Sequence, residues 1–296
     1  MLSLQLAHQL SGKHILLVGA GEVAMTRIPK LLPTGCKLTV IAPEIHGDMW
    51  KHFDVPEDND TVEHTDEHWS PEKNKIFQIF RRGFRNTDIV LHGNGLTDNA
   101  DAQSFLNGEL DPIESYDHNK ASGWHMIMTC IPDPVLSEKI YRGAKLVLGQ
   151  HVLCNVADNP PLCDFYFGSN VTLGKGGKPI QIMLSSNGNS PRFTALLKNE
   201  IERQFGDLPI GESVAKLGQL RARIRKISEE RCPASLSKPE LIKYRMEWIR
   251  NCTDAFGVSH CHEINVDKTV TLFEDMFASM SLEQPDNEKY MKEYLE

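Results

Sequence analysis

The sequence predicts an α/β protein with an N-terminal parallel sheet of the doubly wound type, a central β-hairpin and a C-terminal all-helical domain. Three observations predict it. The first fifty residues alternate apolar strand, glycine turn, helix and apolar strand; the same alternation resumes between Trp124 and Val156; and beyond Ser190 the apolar residues step by three or four.

In order, His14 to Val18 reads as a buried strand, Gly19 to Gly21 as a turn, Val23 to Leu32 as a helix and Lys37 to Ala42 as a second strand. Pro29 removes a helical hydrogen bond and crowds the preceding turn, so the first helix is expected kinked or shortened. Pro43 to Arg85 turns polar and rich in histidine and acid, which predicts a solvated segment. Thr87 to Leu91 reads as a strand, and Asn94 to Ser122, full of Gly, Asn and Asp, as a loop insertion. His125 to Ile131 predicts a strand, Pro134 to Gly143 a helix and His151 to Val156 a strand. Phe165 to Leu173 and Ile180 to Ser185 flank Gly174, Lys175, Gly176 and Gly177 as a hairpin. Stripes at Leu217, Leu220, Ile224 and Ile227, and at Val266, Val270, Phe273 and Phe277, predict amphipathic helices. After Ser281 the reading is a poorly ordered terminus with a final helix at Glu288 to Leu295.

The chain has 296 residues, 24% charged and 40% hydrophobic, ordinary globular usage that supports a substantial core. Its net charge of −8 argues against nucleic acid and confines any anionic ligand to a local basic pocket. No apolar run reaches membrane-spanning length and no signal peptide is evident, so a cytoplasmic protein is expected. Seven cysteines without a Cys-x-x-Cys pair read as free, mostly buried thiols.

Gly19-Ala20-Gly21-Glu22-Val23-Ala24 follows a strand and opens a helix, the setting of the Gly-x-Gly-x-x-Gly/Ala dinucleotide fingerprint. Gly19 permits the tight turn, Gly21 lets a pyrophosphate approach the backbone, and Ala24 lets helix and strand pack closely, which marks the sheet as Rossmann-like. The second strand ends in Ala42-Pro43-Glu44 rather than in an acidic residue; with no arginine there for a 2′-phosphate, NAD is expected over NADP. Tyr-x-x-x-Lys occurs at Tyr141/Lys145 and at Tyr116/Lys120, a pattern too cheap to carry a short-chain dehydrogenase site.

Asp158 stands where a parallel strand ends, the place of a base, although a cap or turn role before Pro160 and Pro161 reads equally well; Asp164 is the competing carboxylate. Ser185 to Pro191 reads as a loop ending in Ser190 at a helix N-cap, with Asn187 in the loop and Arg192 and Lys198 nearby as an anion site. His260-Cys261-His262 does not complete a four-ligand metal set and reads as structural.

These residues extend into longer motifs: Ser3-Leu4-Gln5-Leu6-Ala7-His8-Gln9-Leu10, Pro33-Thr34-Gly35-Cys36-Lys37-Leu38-Thr39, Ile127-Met128-Thr129-Cys130-Ile131-Pro132-Asp133, and Asn155-Val156-Ala157-Asp158 through Cys163-Asp164-Phe165-Tyr166-Phe167-Gly168. Ser190-Pro191-Arg192-Phe193, Cys252-Thr253-Asp254 and His260-Cys261-His262 follow in the same order. In them the chain resembles the fungal bifunctional siroheme synthases, precorrin-2 dehydrogenase and sirohydrochlorin ferrochelatase in one polypeptide. The resemblance leaves out the segments around 46–75 and 85–122 and the last fifteen or so residues.

The resemblance implies an NAD-binding Rossmann domain over 1–164, a dimerisation region over 165–200 and a helical domain over 201–296, assembled as a homodimer with its active site in a cleft. It implies NAD-dependent oxidation of precorrin-2 to sirohydrochlorin, then insertion of Fe2+, a substrate, to give siroheme. Asp158 takes the position of the family's catalytic aspartate, and His262 is a second catalytic candidate. Glu22, Val23, Ala42 and Pro43 match the family's NAD-contacting positions, Gly19, Gly21 and Thr129 are further cofactor candidates, and Asn187, Ser190, Arg192 and Lys198 are candidates for the tetrapyrrole's carboxylates. No resident metal is implied. Two rivals are a precorrin-2 dehydrogenase without chelatase activity and a non-catalytic NAD-responsive binding protein.

Overall fold

The computed structural model describes residues 3–52, 61–63 (backbone only), 70, 72, 74–93, 104, 106–109, 123–174, 178–234 and 236–296. The chain forms two compact units, residues 6–167 and residues 168–296 together with 1–5.

The first unit is built on a six-stranded sheet. Its strands are β1 (His14–Val18), β2 (Lys37–Ile41), β3 (Thr61–Glu63), β4 (Gln78–Phe80), β5 (Met126–Thr129) and β6 (Leu153–Val156). They lie in the order β3-β4-β2-β1-β5-β6, with β3 antiparallel and the rest parallel. The near-continuous apolar runs of β1 and β2 follow from this position, since a central parallel strand is covered on both faces. Ile15, Leu17, Leu38, Val40, Met126 and Met128 join Ala24, Ile28 and Leu31 in one apolar layer. Leu16, Val18, Ile41 and Ile127 pack in the other against Ile140, Ala144 and Leu148 of α3 (Pro134–Leu148).

Pro29 breaks the first helix as expected. α1 spans Glu22–Met25 and α2 Ile28–Leu31, with Pro29 in the first turn of α2, where its missing N–H costs little. A 3-10 turn at Leu32–Thr34 then ends at Gly35, in the left-handed region.

Two expectations are corrected here. The stretch after Pro43 is not solvated throughout: Gly47–His52 is a 3-10 turn that buries Met49 and Trp50, and β4 completes the sheet beside β2. Thr87 to Leu91 is not a strand; Asn86–Val90 is a 3-10 turn whose Asp88 accepts two bonds from the Arg82 guanidinium, at 2.7 and 2.8 Å, while the Trp124 indole N–H bonds the Asp88 carbonyl. Short range alone cannot separate these geometries, because long-range partners select them. Of the loop insertion at 94–122, residues 104 and 106–109 are described and the remainder lies outside the described residues.

The second unit begins with the antiparallel hairpin β7 (Ser169–Leu173) and β8 (Ile180–Leu184). α4 (Pro191–Phe205), α5 (Ile210–Glu230), α6 (Lys238–His260), α7 (Val266–Ala278) and α8 (Asn287–Glu293) follow. The predicted stripes point inward: Leu220, Ile224, Val270, Phe273 and Phe277 join Trp248, Phe256 and Tyr290 in one core. α6 opens on a capping box in which the Ser237 hydroxyl accepts from the Glu240 N–H and Glu240 accepts from the Ser237 N–H.

The terminus after Ser281 is folded rather than poorly ordered. The Tyr290 hydroxyl donates to Gln284 Oε1 at 2.8 Å, its ring lies 5.0 Å from that of Phe256, and the Glu296 N–H donates to the Glu263 carbonyl. Leu282, Met291, Tyr294 and Leu295 pack against the same core beside the fully buried Tyr290.

Candidate functional site

The glycine turn leaves β1 with Gly19 at φ +103°, and a Cβ built there would stand 2.4 Å from the Cys130 carbonyl oxygen. Gly19 is therefore demanded by the protein itself. Gly21 is different: it is exposed, its φ of −89° suits any residue, and a Cβ there would meet nothing within 4 Å. The free space on that side of the turn fits the close approach of a pyrophosphate to the backbone.

Glu22 and Val23 are exposed at the start of α1, whereas Ala24 is fully buried beneath the sheet. Ala42 is buried and donates its N–H to the Phe80 carbonyl, and Pro43 and Glu44 beyond it are exposed. The two loops are tied together by His46, whose N–H bonds the Ala20 carbonyl at 3.0 Å and whose Nε2 lies 3.1 Å from Glu22 Oε1. Thr129 is buried; its carbonyl accepts the Ala157 N–H and its hydroxyl has no partner among the described residues. Gly19, Gly21, Glu22, Val23, Ala42, Pro43, Thr129 and Asp158 thus gather at the carboxyl ends of β1, β2, β5 and β6, where open α/β sheets bind ligands.

The two competing carboxylates are separated by their partners. Asp158 sits in the turn after β6 at φ +59°, a left-handed conformation that aspartate tolerates better than most residues. It is exposed and in no ion pair or hydrogen bond of its carboxylate among the described residues. It is not a cap either, since the 3-10 turn at Pro160–Leu162 has Asn159 at its N-cap. Asp164 is fully engaged: Oδ2 lies 2.7 Å from Lys145 Nζ and accepts the Cys154 N–H at 2.7 Å. Lys145, 8% exposed, also donates to the Val152 and Gln150 carbonyls, which removes it from any catalytic Tyr-x-x-x-Lys role.

Arg27, which sequence reasoning missed, joins this region from the break between α1 and α2. Its guanidinium stands 4.6 Å from the centre of the Phe167 ring, and its Nε is buried without a partner among the described residues. Burial pushes the Cys130 thiol up; Arg27 pulls against that rise and Asp158 adds to it. Nothing in the sequence around Arg27 marks it, because only the packing of the helix break against β5 and β6 assigns its neighbours.

The remaining candidates lie in the second unit. Asn187, at φ +51°, accepts from the Ser3 N–H and from the Ser3 hydroxyl at 2.8 Å. Ser190 is the N-cap of α4 and Pro191 opens the helix, as expected; the Ser190 hydroxyl makes no cap bond, and its N–H donates to the Ser186 hydroxyl. Arg192 is exposed and in no ion pair among the described residues. His262 Nδ1 is buried without a partner there, and Nε2 lies 3.9 Å from Glu263 Oε1. Glu263 is held by His260 Nδ1 at 2.7 Å, a bond that keeps its carboxyl below the usual range. All seven cysteines are free thiols, and Cys261 is buried between the two histidines.

Family models match in three consecutive stretches: NAD(P)-binding over residues 6–169, sirohaem biosynthesis protein central over 178–204, and sirohaem biosynthesis protein C-terminal over 209–282. The chain is 40% identical over 305 residues to a siroheme biosynthesis protein of Saccharomyces cerevisiae, covering 99% of this chain and 98% of that one. A siroheme biosynthesis protein of Schizosaccharomyces pombe is 30% identical, over 83% of this chain and 69% of its own length. A siroheme synthase of Nitrosococcus oceani is 26% identical over 74% of this chain, which spans 34% of that longer protein. Among solved structures, the precorrin-2 dehydrogenase SirC shares the fold with a TM-score of 0.53 at 15% identity, over 92% of this chain and 100% of that one.

Proposed function

The chain belongs to the siroheme biosynthesis protein family, and from that premise we propose that it is a bifunctional enzyme which oxidises precorrin-2 with NAD+ and then inserts Fe2+ into the resulting sirohydrochlorin. The observation that carries the reading is Asp158, an open carboxylate at the carboxyl end of β6 in the nucleotide-binding unit, while its neighbour Asp164 is bound to Lys145.

Gly19, Gly21, Glu22, Val23, Ala42, Pro43 and Thr129 would hold the dinucleotide, and the open side of Gly21 supports the fit. NAD+, when bound, supplies the hydride acceptor. NAD is favoured over NADP because exposed Glu44 follows Ala42-Pro43 at the end of β2, and Arg82, beyond neighbouring β4, is committed to Asp88. Asp158 takes the proton that leaves the macrocycle as its hydride departs, giving sirohydrochlorin, NADH and one proton in balance. In chelation the macrocycle exchanges two pyrrole protons for Fe2+; Asp158 accepts one at a time and passes it to solvent, and His262 is a second acceptor.

Asn187, Ser190 and Arg192 are assigned to substrate carboxylates, with Arg192 the free cation among them. The working form is a homodimer paired through residues 165–200, with residues 201–296 as the helical domain. What supports this is the apolar surface of α4, where Phe193, Leu196 and Leu197 are 64%, 49% and 42% exposed. The site is proposed to act in the cytoplasm, without nucleic acid or membrane; among the described residues no helix is long and apolar enough to cross one.

The test is turnover by the purified full chain. NADH should appear with precorrin-2 and NAD+, and siroheme should form from sirohydrochlorin and Fe2+ without NAD. Siroheme at only the uncatalysed rate would leave a dehydrogenase alone.

A further inference from the structure

A groove of about 590 Å3 runs between α5 and α6, and none of its lining residues is among those assigned above. Arg221 and Arg225, one turn apart on α5, face Arg245 and Arg250 of α6 across it. Its floor is apolar, with Ile242 and Met246 37% and 65% exposed.

The local charge is unbalanced. Glu229 lies 2.9 Å from Arg225 and 3.5 Å from Arg245, and Glu247 lies 3.3 Å from Arg250. Four guanidinium groups against two carboxylates leave two positive charges, and Arg221 is in no ion pair among the described residues. Like charges one helical turn apart disfavour the folded state slightly, and a chain of net charge −8 gains no solubility from a basic spot. Arginine pairs with carboxylates through its planar fork and stacks on flat π-systems, and the volume is that of a small-molecule site. A rim of guanidinium groups above an apolar floor therefore suits a ligand with an anionic edge and an apolar body.

We propose that this groove is a second, non-catalytic site for a flat macrocycle bearing several carboxylates. The proposal takes the ligand's class from the activity proposed above; the site itself rests on the groove's own residues.

The experiment titrates the full chain with uroporphyrin, an octacarboxylate porphyrin, and compares it with Arg221→Gln/Arg250→Gln. Both positions are exposed, and circular dichroism checks the fold; Arg225→Gln provides a second, independent variant. The expected result is two classes of site in the unaltered chain, one of them weakened at least about fivefold in the variants and by added salt. NADH production from precorrin-2 should be unchanged. An isotherm identical in the variants would overturn the proposal. So would displacement of the porphyrin by poly-glutamate at equal carboxylate concentration, which would assign the groove to acidic peptides. An arginine-dependent site in a chain that makes no NADH would support the groove while sinking the activity; turnover with no such site would do the reverse.

Discussion

Lys145 Nζ lies 2.7 Å from Asp164 Oδ2, and this ion pair of a buried lysine and a part-buried aspartate leaves Asp158 as the uncommitted carboxylate at the end of β6. Asp164 is a structural group that fastens the strand's beginning to α3 and to the Cys154 N–H. The pair separates two carboxylates only six residues apart into different roles.

The two aspartates should therefore fail differently. Asp158→Asn should keep the fold, because asparagine also accepts the left-handed turn, and should lower both turnover rates by about 10²–10⁴-fold. Asp164→Asn should instead cost about 3–5 kcal/mol, because it strands the Lys145 charge inside the protein. Denaturant melts read beside both assays check this; normal NADH production by Asp158→Asn would sink its assignment as the base.

The two glycines of the turn should also part company. Gly19→Ala meets the Cys130 carbonyl at a backbone angle that alanine resists, so a loss of about 3 kcal/mol or more, or failure to fold, is expected. Gly21→Ala meets no protein atom within 4 Å and should leave stability within about 1 kcal/mol while weakening NAD. Thermal melts and a fluorescence titration with NADH would separate them, and equal nucleotide affinity in Gly21→Ala would remove that residue from the cofactor site.

Acid should weaken the sheet unit through His125. Burial first, then the charges of Lys13 and His8, hold its pKa below the ordinary 6.5. The unfolded chain then takes up a proton that the folded chain refuses. This contribution is full above pH 6.5 and is lost as pH falls through the lowered folded value. Stability measured between pH 7.5 and 5 should decline less steeply in His125→Asn, and parallel curves would refute the assignment.

Pairing through α4 is open to a mass measurement. The chain of 33.4 kDa should scatter light as a dimer, and Phe193→Glu/Leu197→Glu should give the monomer without loss of helix content, since both side chains are exposed. A monomer in the unaltered chain would dispose of this interface.

The elements that were readable in advance are those whose burial is local. β1, β2 and β5 are runs of apolar residues covered on both faces, and the helices of the second unit carry their stripes openly. β4 escaped because its buried run, Ile76 to Phe80, is short, interrupted by Gln78 and set in a polar stretch, with Gln78 held by the Thr39 hydroxyl across the sheet. The final helix of the tail was legible but its anchoring was not, because Leu282, Tyr290, Met291, Tyr294 and Leu295 are scattered among charged residues and only the packed helices gather them.

The candidate site divides in the same way. Sequence by itself determined the glycine turn, the strand ends and the pair of candidate carboxylates, because turn chemistry and hydrophobic periodicity act over a few residues. Only the tertiary structure decided that Asp158 is open and Asp164 taken, that His46 ties the two cofactor loops together, and that Arg27 belongs beside Cys130. Charge partners and orphaned polar atoms depend on which side chains the packed strands and helices bring within about 4 Å, and that separation is not encoded in sequence spacing.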